Sequence, residues 1–133
     1  MSQENVEIVR RVYEQWASGN FSADAFDPDV EHSRIGAETP DIEGRSLGLD
    51  EMWSAIREYL RPMSDVRIEA ERIIDLSGDR VLVLSRHTAR GKLSGVPIEH
   101  EIGDLFTLRH GKIVRYNSYW DRAEALEAAG LSE

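Results

Sequence analysis

The sequence predicts a single α+β domain over residues 1–133, and three observations support that prediction. Two segments in the first half space their apolar residues three and four positions apart, whereas from residue 66 onward apolar and polar residues alternate. The alternating segments follow one another through short turns, without the strand, helix, strand order of parallel sheets. A chain of 133 residues can bury one hydrophobic core without support from a disulfide or a metal.

Two amphipathic helices account for most of the first half. The first is predicted over residues 3–18 and ends at Gly19, and the second is predicted over 49–61 and ends at Pro62. Their apolar stripes consist of Val9, Val12, Tyr13 and Trp16 in the first helix and of Leu49, Met52, Trp53, Ile56 and Leu60 in the second. Each stripe predicts one buried face that packs on another element.

The segment between these helices is predicted to hold a helical turn at 22–26, a strand over 29–36 and a loop over 36–44. Pro28 ends the turn because it cannot continue a helix. The loop is rich in Gly, Pro and polar residues, and loops of this kind often border binding sites.

Four strands fill most of the second half. They are predicted over residues 66–76, 80–91, 97–108 and 112–120. Because the turns between them are short, the strands form an antiparallel meander, with helices on one face. A last helix over 121–130 begins at Asp121, which forms a capping box with Glu124.

The strand IEHEIGDLFTL, residues 98–108, places polar side chains among apolar ones. Alternation puts His100 and Asp104 on the same face as Ile102 and Phe106, which predicts a buried carboxyl group. Burial disfavours the charged form, so such an acid tends to stay protonated and can donate a hydrogen bond. The alternative is a structural acid whose oxygens are satisfied by a neighbouring hydroxyl or backbone group.

The composition excludes several classes of function. The 25 acidic and 16 basic side chains give a net charge of −9, so a phosphate backbone would be repelled and no nucleic acid partner is expected. The chain has no cysteine, and its four histidines lack metal-ligand spacing, so no metal site is predicted. The sequence also contains no phosphate-binding loop, so no cofactor is predicted. No run is long enough to span a membrane and the start is polar, so we expect a cytoplasmic protein.

The order of elements, the Gly44–Arg45 pair before the second helix and the closing segment HGKIVRYNSYWD resemble the nuclear transport factor 2-like superfamily. Within it, the chain is most similar to the SnoaL-like group of polyketide cyclase and ketosteroid isomerase-like proteins. The resemblance implies a cystatin-like α+β barrel, in which a cone-shaped, curved antiparallel sheet wraps around the N-terminal helices. It also implies a pocket for a small hydrophobic molecule at the open end and a homodimer through the outer sheet face.

Two segments resemble ketosteroid isomerases at the level of residues. DLFTL (104–108) and SYW (118–120) match the last two strands, which puts Asp104 in the place of the protonated acid that donates to an oxyanion. VEH (30–32) matches the segment of the general base, which puts His32 in that role. An imidazole can take a proton near neutrality, so this acid and base would suffice for enolisation, cyclisation or dehydration.

Two departures limit this resemblance. The isomerase tyrosine on the first helix aligns with Val12, so Tyr13 is expected to lie one residue away and to face elsewhere. The base is an imidazole instead of a carboxylate, so steroid isomerisation itself is not implied. In the alternative state, a protonated His32 forms a structural ion pair with ionised Asp104.

The alternation of the last strand divides its residues between two faces, and the resemblance implies which face lines the pocket. With residues from the second helix and the preceding strand, the predicted ligand-binding residues are Trp53, His100, Tyr116, Ser118 and Trp120. Arg115, Asn117 and Tyr119 are expected to face the other way, and His87 has no assignment. We expect a cofactor-independent isomerase, cyclase or lyase acting on a hydrophobic carbonyl compound. The alternatives are a small-molecule binder without catalysis and a dimeric accessory protein.

Overall fold

The computed structural model describes residues 2–20, 24–35, 45–76 and 78–131. Within these ranges the chain forms three helices and six strands. The helices are α1 (Ser2–Ala17), α2 (Leu49–Leu60) and α3 (Arg122–Ala128). The strands are β1 (Phe26–Ile35), β2 (Arg45–Leu47), β3 (Met63–Asp75), β4 (Arg80–Gly91), β5 (Pro97–Arg109) and β6 (Lys112–Tyr119).

All six strands belong to one curved sheet in the order β2-β1-β6-β5-β4-β3. The predicted meander is confirmed, because β3 to β6 pair with their chain neighbours in antiparallel fashion. β1 departs from the antiparallel pattern, since it pairs in parallel with β6. This one parallel pair places β1 beside the last strand, and the α+β class and cone architecture predicted from the sequence are confirmed.

The segment around β1 differs from the prediction in detail. Strand β1 begins at Phe26 and runs through Pro28, and its pairing with β6 shifts register between Phe26 and Glu31. A bulge tolerates proline because the ladder is already interrupted there. The predicted loop at 36–44 and part of the predicted turn at 22–26 lie outside the described residues. Strand β2 was not predicted because three residues are too few to show a period.

The main core lies between α1 and the inward face of the sheet. All four residues of the predicted α1 stripe are buried, with exposed fractions of 5% or less. They pack against inward residues of β4 and β5, including Val81, Val83 and Phe106. Strand alternation therefore directs every second residue of β4 and β5 into this core.

Helix α3 covers the opposite face of the sheet, whereas the sequence predicted helices on one face. Ala125 of α3 and Ala129, the C-cap of this helix, pack on Leu82, Leu84 and Leu105, which alternate with the main-core residues. The predicted N-cap is confirmed, because the Asp121 carboxylate accepts from the Ala123 N–H at 2.8 Å. This second, smaller core buries the otherwise outward side of β4 and β5.

Candidate active site

A cavity lies between α2 and the inward face of the sheet. The space between its walls, including the open mouth, is about 500 Å³, but the centre of a water molecule can occupy only about 40 Å³ of it. The cavity is therefore a narrow slot. Its apolar walls include Trp16, Ile56, Leu60, Ile68 and Trp120, and its polar lining residues are His32, Arg34, Tyr59, His87, Tyr116 and Ser118.

The parallel pairing of β1 with β6 brings four of these polar residues together. His32 pairs with Tyr116, and Arg34 pairs with Ser118. Because alternate residues of a strand share a face, all four side chains lie on the cavity side. The rings of His32 and Tyr116 are 4.7 Å apart between their centroids.

His32 is a neutral imidazole in the cavity wall. Its side chain is 2% exposed. Burial, and then the positive charge of Arg34, lowers the pKa of His32 to about 4. Its Nδ1 atom has no hydrogen-bond partner among the described residues. At neutral pH the ring can therefore accept a proton or a hydrogen bond from a ligand.

Asp104 is fully buried and is held by three hydroxyl groups. Tyr13 and Ser85 donate to its Oδ2 atom, the second at 3.2 Å, and Ser118 donates to its Oδ1 atom at 2.9 Å. Burial raises the pKa of Asp104 to about 6, although the three hydroxyl hydrogen bonds act in the lowering direction. The carboxyl group therefore keeps its proton to a higher pH than an exposed aspartic acid does, which is the direction that the sequence predicted.

The expectation for Tyr13 was wrong. Tyr13 is 3% exposed and its hydroxyl donates directly to Asp104. Its ring packs edge-on against Phe106, with centroids 6.0 Å apart. Val12 is buried as well, because the inward stripe of α1 is wide enough for two adjacent residues. The chain therefore carries a tyrosine on the first helix that reaches the buried acid.

Asp104 lies behind the cavity wall and not in it. Ser118 lines the cavity and bonds Asp104 on its other side, so it connects the buried carboxyl group to the ligand space. His32 has no ion pair with Asp104 in the described part of the chain. The predicted alternative of a structural ion pair between them is therefore wrong.

A second polar group lies in the wall formed by α2 and β4. The Tyr59 hydroxyl is 3.0 Å from His87 Nδ1. Burial lowers the pKa of His87 to about 4, with a smaller effect of His100 in the same direction. His87 had no sequence assignment, because its orientation depended on the hairpin register between β4 and β5. The observed register pairs His87 with His100 and turns both toward the inner side.

The structure places the predicted lining residues in two groups. Tyr116, Ser118 and Trp120 line the cavity. Trp53 packs on Phe26 in the core, with ring centroids 6.2 Å apart, and His100 lies against the Trp120 ring at 4.6 Å. Neither Trp53 nor His100 is among the described wall residues. As predicted, Arg115 faces away from the cavity.

Several wall residues were missed, although the sequence held a signal for some. Arg34 lies two positions after His32, so strand alternation could have placed both on one face. Tyr59 lies three positions after Ile56, which is the helical spacing of the α2 stripe. Ser85 gave no signal, because a serine on a strand is common on either face. No group of three or more acidic or histidine side chains suited to a metal ion occurs in the described ranges.

The chain was compared with protein families, curated proteins and solved structures. Residues 9–116 match the family model described as a SnoaL-like domain. Comparison with curated proteins gives no match. Among the described helices, none has the length and apolar character that a membrane crossing requires.

Solved structures share the fold at low sequence identity. An NTF2-like protein of unknown function from Burkholderia pseudomallei is 23% identical with a TM-score of 0.77, covering 93% of this chain and 95% of that one. A candidate SnoaL-like polyketide cyclase from Jannaschia sp. is 19% identical with a TM-score of 0.75, covering 98% and 94%. TerC, co-crystallized with polyporic acid, is 21% identical with a TM-score of 0.74, covering 96% and 98%.

Proposed function

The chain belongs to the SnoaL-like family, and from that premise we propose that it is a cofactor-independent isomerase, cyclase or lyase acting on a hydrophobic carbonyl compound. The proposal is supported by one observation in particular. A neutral imidazole, whose Nδ1 atom has no hydrogen-bond partner among the described residues, lines the same aromatic slot as a serine that is bonded to a buried acid. Family members named as polyketide cyclases agree with this reaction class.

The proposed reaction begins with proton removal by His32. The imidazole takes a proton from the carbon next to the carbonyl group, and the bonding electrons move to the carbonyl oxygen. The resulting enolate is then protonated at another carbon, which gives an isomer, or attacks a second carbonyl group, which closes a ring. The imidazolium returns its proton in the last step, so the protein is unchanged.

Ser118 transmits the protonation state of Asp104 to the ligand. When Asp104 is ionised, the Ser118 hydroxyl donates to it and offers the ligand only lone pairs. When Asp104 is protonated, it can donate to Ser118, whose own proton is then free to bond the ligand oxygen. The developing enolate is stabilised in the second state, because a donor faces the growing negative charge.

This scheme predicts a bell-shaped pH dependence of kcat/KM. The base must be deprotonated, which requires a pH above about 4 for His32. The acid must be protonated, which favours a pH below about 6 for Asp104. We therefore expect an optimum between these values, and activity that rises steadily through pH 8 would contradict the assignment of Asp104 as the acid.

Solvent deuterium exchange provides the decisive experiment. Hydrophobic ketones and lactones are incubated with the protein in deuterated buffer, and loss of the proton next to the carbonyl group is followed by NMR. We expect His32→Asn to lower exchange by about a hundredfold or more, the usual effect of removing a general base. His110→Asn is a matched control, since His110 lies in an exposed turn at φ 53°, which asparagine tolerates. Equal rates in wild type and His32→Asn would exclude His32 as the base.

A binder without catalysis is the second candidate function. The observation in its favour is that three hydroxyl groups already satisfy Asp104, which is the arrangement of a structural acid. Such a protein would gain thermal stability from a ligand, since the ligand binds only the native state, yet would catalyse no exchange. The same screen therefore separates the two functions.

Homodimerisation and cytoplasmic location remain predictions from the sequence. We propose that the dimer forms through the outer sheet face, where Arg86 bonds Glu71 and Glu99 at 3.1 and 2.5 Å. Light scattering tests the oligomeric state. A monomeric wild type would refute the dimer.

A further inference from the structure

We propose that Arg34, His87 and Trp120 form an anion-binding subsite, and that the cavity takes flat aromatic compounds that carry an ionised oxygen, such as a carboxylate or enolate. This inference rests on the proposed function only in that it concerns the same cavity. It names the class of ligand, whereas the proton transfer assigned to His32 is a separate property.

Among the described residues, no acidic side chain forms an ion pair with Arg34. Its guanidinium Nε atom is buried and has no hydrogen-bond partner in the same part of the chain. The groups that act on its charge are the phenols of Tyr59 and Tyr116. Burial raises the pKa of both phenols, so both stay neutral. A partly buried cation in neutral surroundings is stabilised by an anion that enters the cavity.

His87 can offer a hydrogen-bond donor to the cavity. Its Nδ1 atom lies 3.0 Å from the Tyr59 hydroxyl, and which of the two donates depends on the tautomer of the imidazole. When the imidazole hydrogen lies on Nε2, the Tyr59 hydroxyl donates to Nδ1 and the Nε2–H group can donate to a ligand. That Nε2 atom is buried and lacks a partner in the described part of the structure. An anion in the cavity favours this tautomer, because it accepts the hydrogen bond from Nε2–H.

Trp120 adds a third donor to the same wall. Its indole Nε1–H group can only donate, and this atom is buried without a partner among the described residues. The indole ring packs edge-on against Tyr59, with centroids 5.7 Å apart. Tyr59 therefore contacts both His87 and Trp120.

The three donors select the charge of the ligand. A hydrocarbon would leave all of them unsatisfied, which is costly in a buried site. A cation would be repelled by Arg34. An ionised oxygen can accept two or more hydrogen bonds and also neutralise the guanidinium. The aromatic walls and the narrow slot favour a flat ring system behind that oxygen.

TerC, the structural neighbour co-crystallized with polyporic acid, shows that one protein of this fold takes an acid. That observation belongs to TerC. For this chain, the subsite follows from the unpartnered nitrogen atoms of Arg34, His87 and Trp120.

The test compares two probes of the same shape and different charge. Binding of 2-naphthoate and of the neutral 2-acetylnaphthalene is measured at neutral pH by quenching of tryptophan fluorescence and by calorimetry. We expect 2-naphthoate to bind at least about tenfold more tightly, as hydrogen bonds to a charged partner imply. Equal affinities, a preference for the ketone, or no binding of 2-naphthoate up to about 1 mM would each overturn the subsite.

Variants test whether the proposed residues cause the preference for 2-naphthoate. Arg34→Met keeps the length of the side chain without its charge and should remove the preference for 2-naphthoate while leaving 2-acetylnaphthalene within about threefold. Arg34→Lys should restore part of the preference, because it restores the charge. Tyr59→Phe should weaken 2-naphthoate binding several-fold, since His87 Nδ1 loses the hydroxyl that can stabilise the tautomer with its hydrogen on Nε2. An unchanged preference in Arg34→Met refutes the proposal even if the other variants lose binding.

One further variant separates this inference from the proposed function. His32→Asn should abolish proton exchange and retain the preference for 2-naphthoate. If wild type catalyses no exchange but still prefers the anion, the proposed reaction fails and the subsite stands. If exchange occurs without any anion preference, the subsite fails and the reaction stands.

Discussion

Replacing Asp104 by asparagine should change how the stability of the protein depends on pH. The carboxyl group is 0% exposed, and burial raises its pKa to about 6 from an ordinary value of about 3.9. Below pH 4 the group is protonated in both the native and the unfolded chain. Between pH 4 and 6 the unfolded chain releases this proton while the native state keeps it, so the free energy of unfolding falls as pH rises.

The magnitude follows from the two pKa values. A shift of about two units corresponds to about 3 kcal/mol of stability over the whole titration, of which about 2 kcal/mol is lost between pH 4.5 and pH 8. Asparagine has no proton to release and removes this loss. His32 and His87 act in the opposite direction, because their lowered pKa values make stability rise through the same range. Both histidines remain in the variant, so their effects cancel in the difference between the two proteins.

Chemical denaturation followed by tryptophan fluorescence measures this difference. Wild type and Asp104→Asn are unfolded in urea at several pH values from 4.5 to 8, and each free energy is extrapolated to water. Asp29→Asn removes an exposed carboxylate and controls for the change in net charge. Relative to wild type, Asp104→Asn should gain about 2 kcal/mol between pH 4.5 and pH 8.

A constant difference would refute the reasoning. If the free energies of unfolding of wild type and Asp104→Asn depend on pH in the same way within about 0.5 kcal/mol, the pKa of Asp104 in the native state equals its value in the unfolded chain. The three hydroxyl donors would then compensate fully for burial. The absolute stability of Asp104→Asn carries no such information, because the amide also changes the hydrogen bonds to those hydroxyls.

Three further outcomes follow from the core. Tyr13→Phe removes a donor that lowers the pKa of Asp104, so the acidic transition of stability should move to higher pH, whereas an unmoved transition would show that this hydrogen bond has no effect on the acid. Gly103→Ala should destabilise by roughly 1–3 kcal/mol in urea, because the new methyl group would overlap Ala125 of α3, and a neutral effect would show that α3 can shift. Phe106→Ala should cost roughly 3–5 kcal/mol by calorimetry, since the ring is fully buried, and a loss below 1 kcal/mol would indicate that the core refills.

The inward face of the strands was predictable because alternation is a local property. Asp104 lies on the same side as Ile102 and Phe106, as the period of two required. Alternation also put Tyr116 and Ser118 on one face, and the family resemblance implied that this face lines the cavity, as the structure shows. Backbone geometry alone fixes this alternation, so no knowledge of distant contacts was needed.

Tyr13 shows how local and comparative reasoning can disagree. The helical period put Tyr13 in the inward stripe of α1. Aligning the end of this helix with the end of the isomerase helix instead matched the isomerase tyrosine with Val12, and predicted that Tyr13 faces elsewhere. The structure agrees with the period, since Tyr13 is buried. The period depends on the chain's own geometry, while the superposition assumed that two helices end at equivalent points.

By itself the sequence determined the helices, the meander and the burial of Asp104, because each is set by spacing over a few residues. Only the tertiary structure decided which hydroxyl groups hold Asp104, since Tyr13 is separated from it by 91 residues and the docking angle of α1 brings them together. The same holds for the cavity wall, where the parallel pairing of β1 with β6 sets His32 and Arg34 beside Tyr116 and Ser118. Contacts of this kind depend on how whole elements pack, and spacing along the chain does not encode that directly.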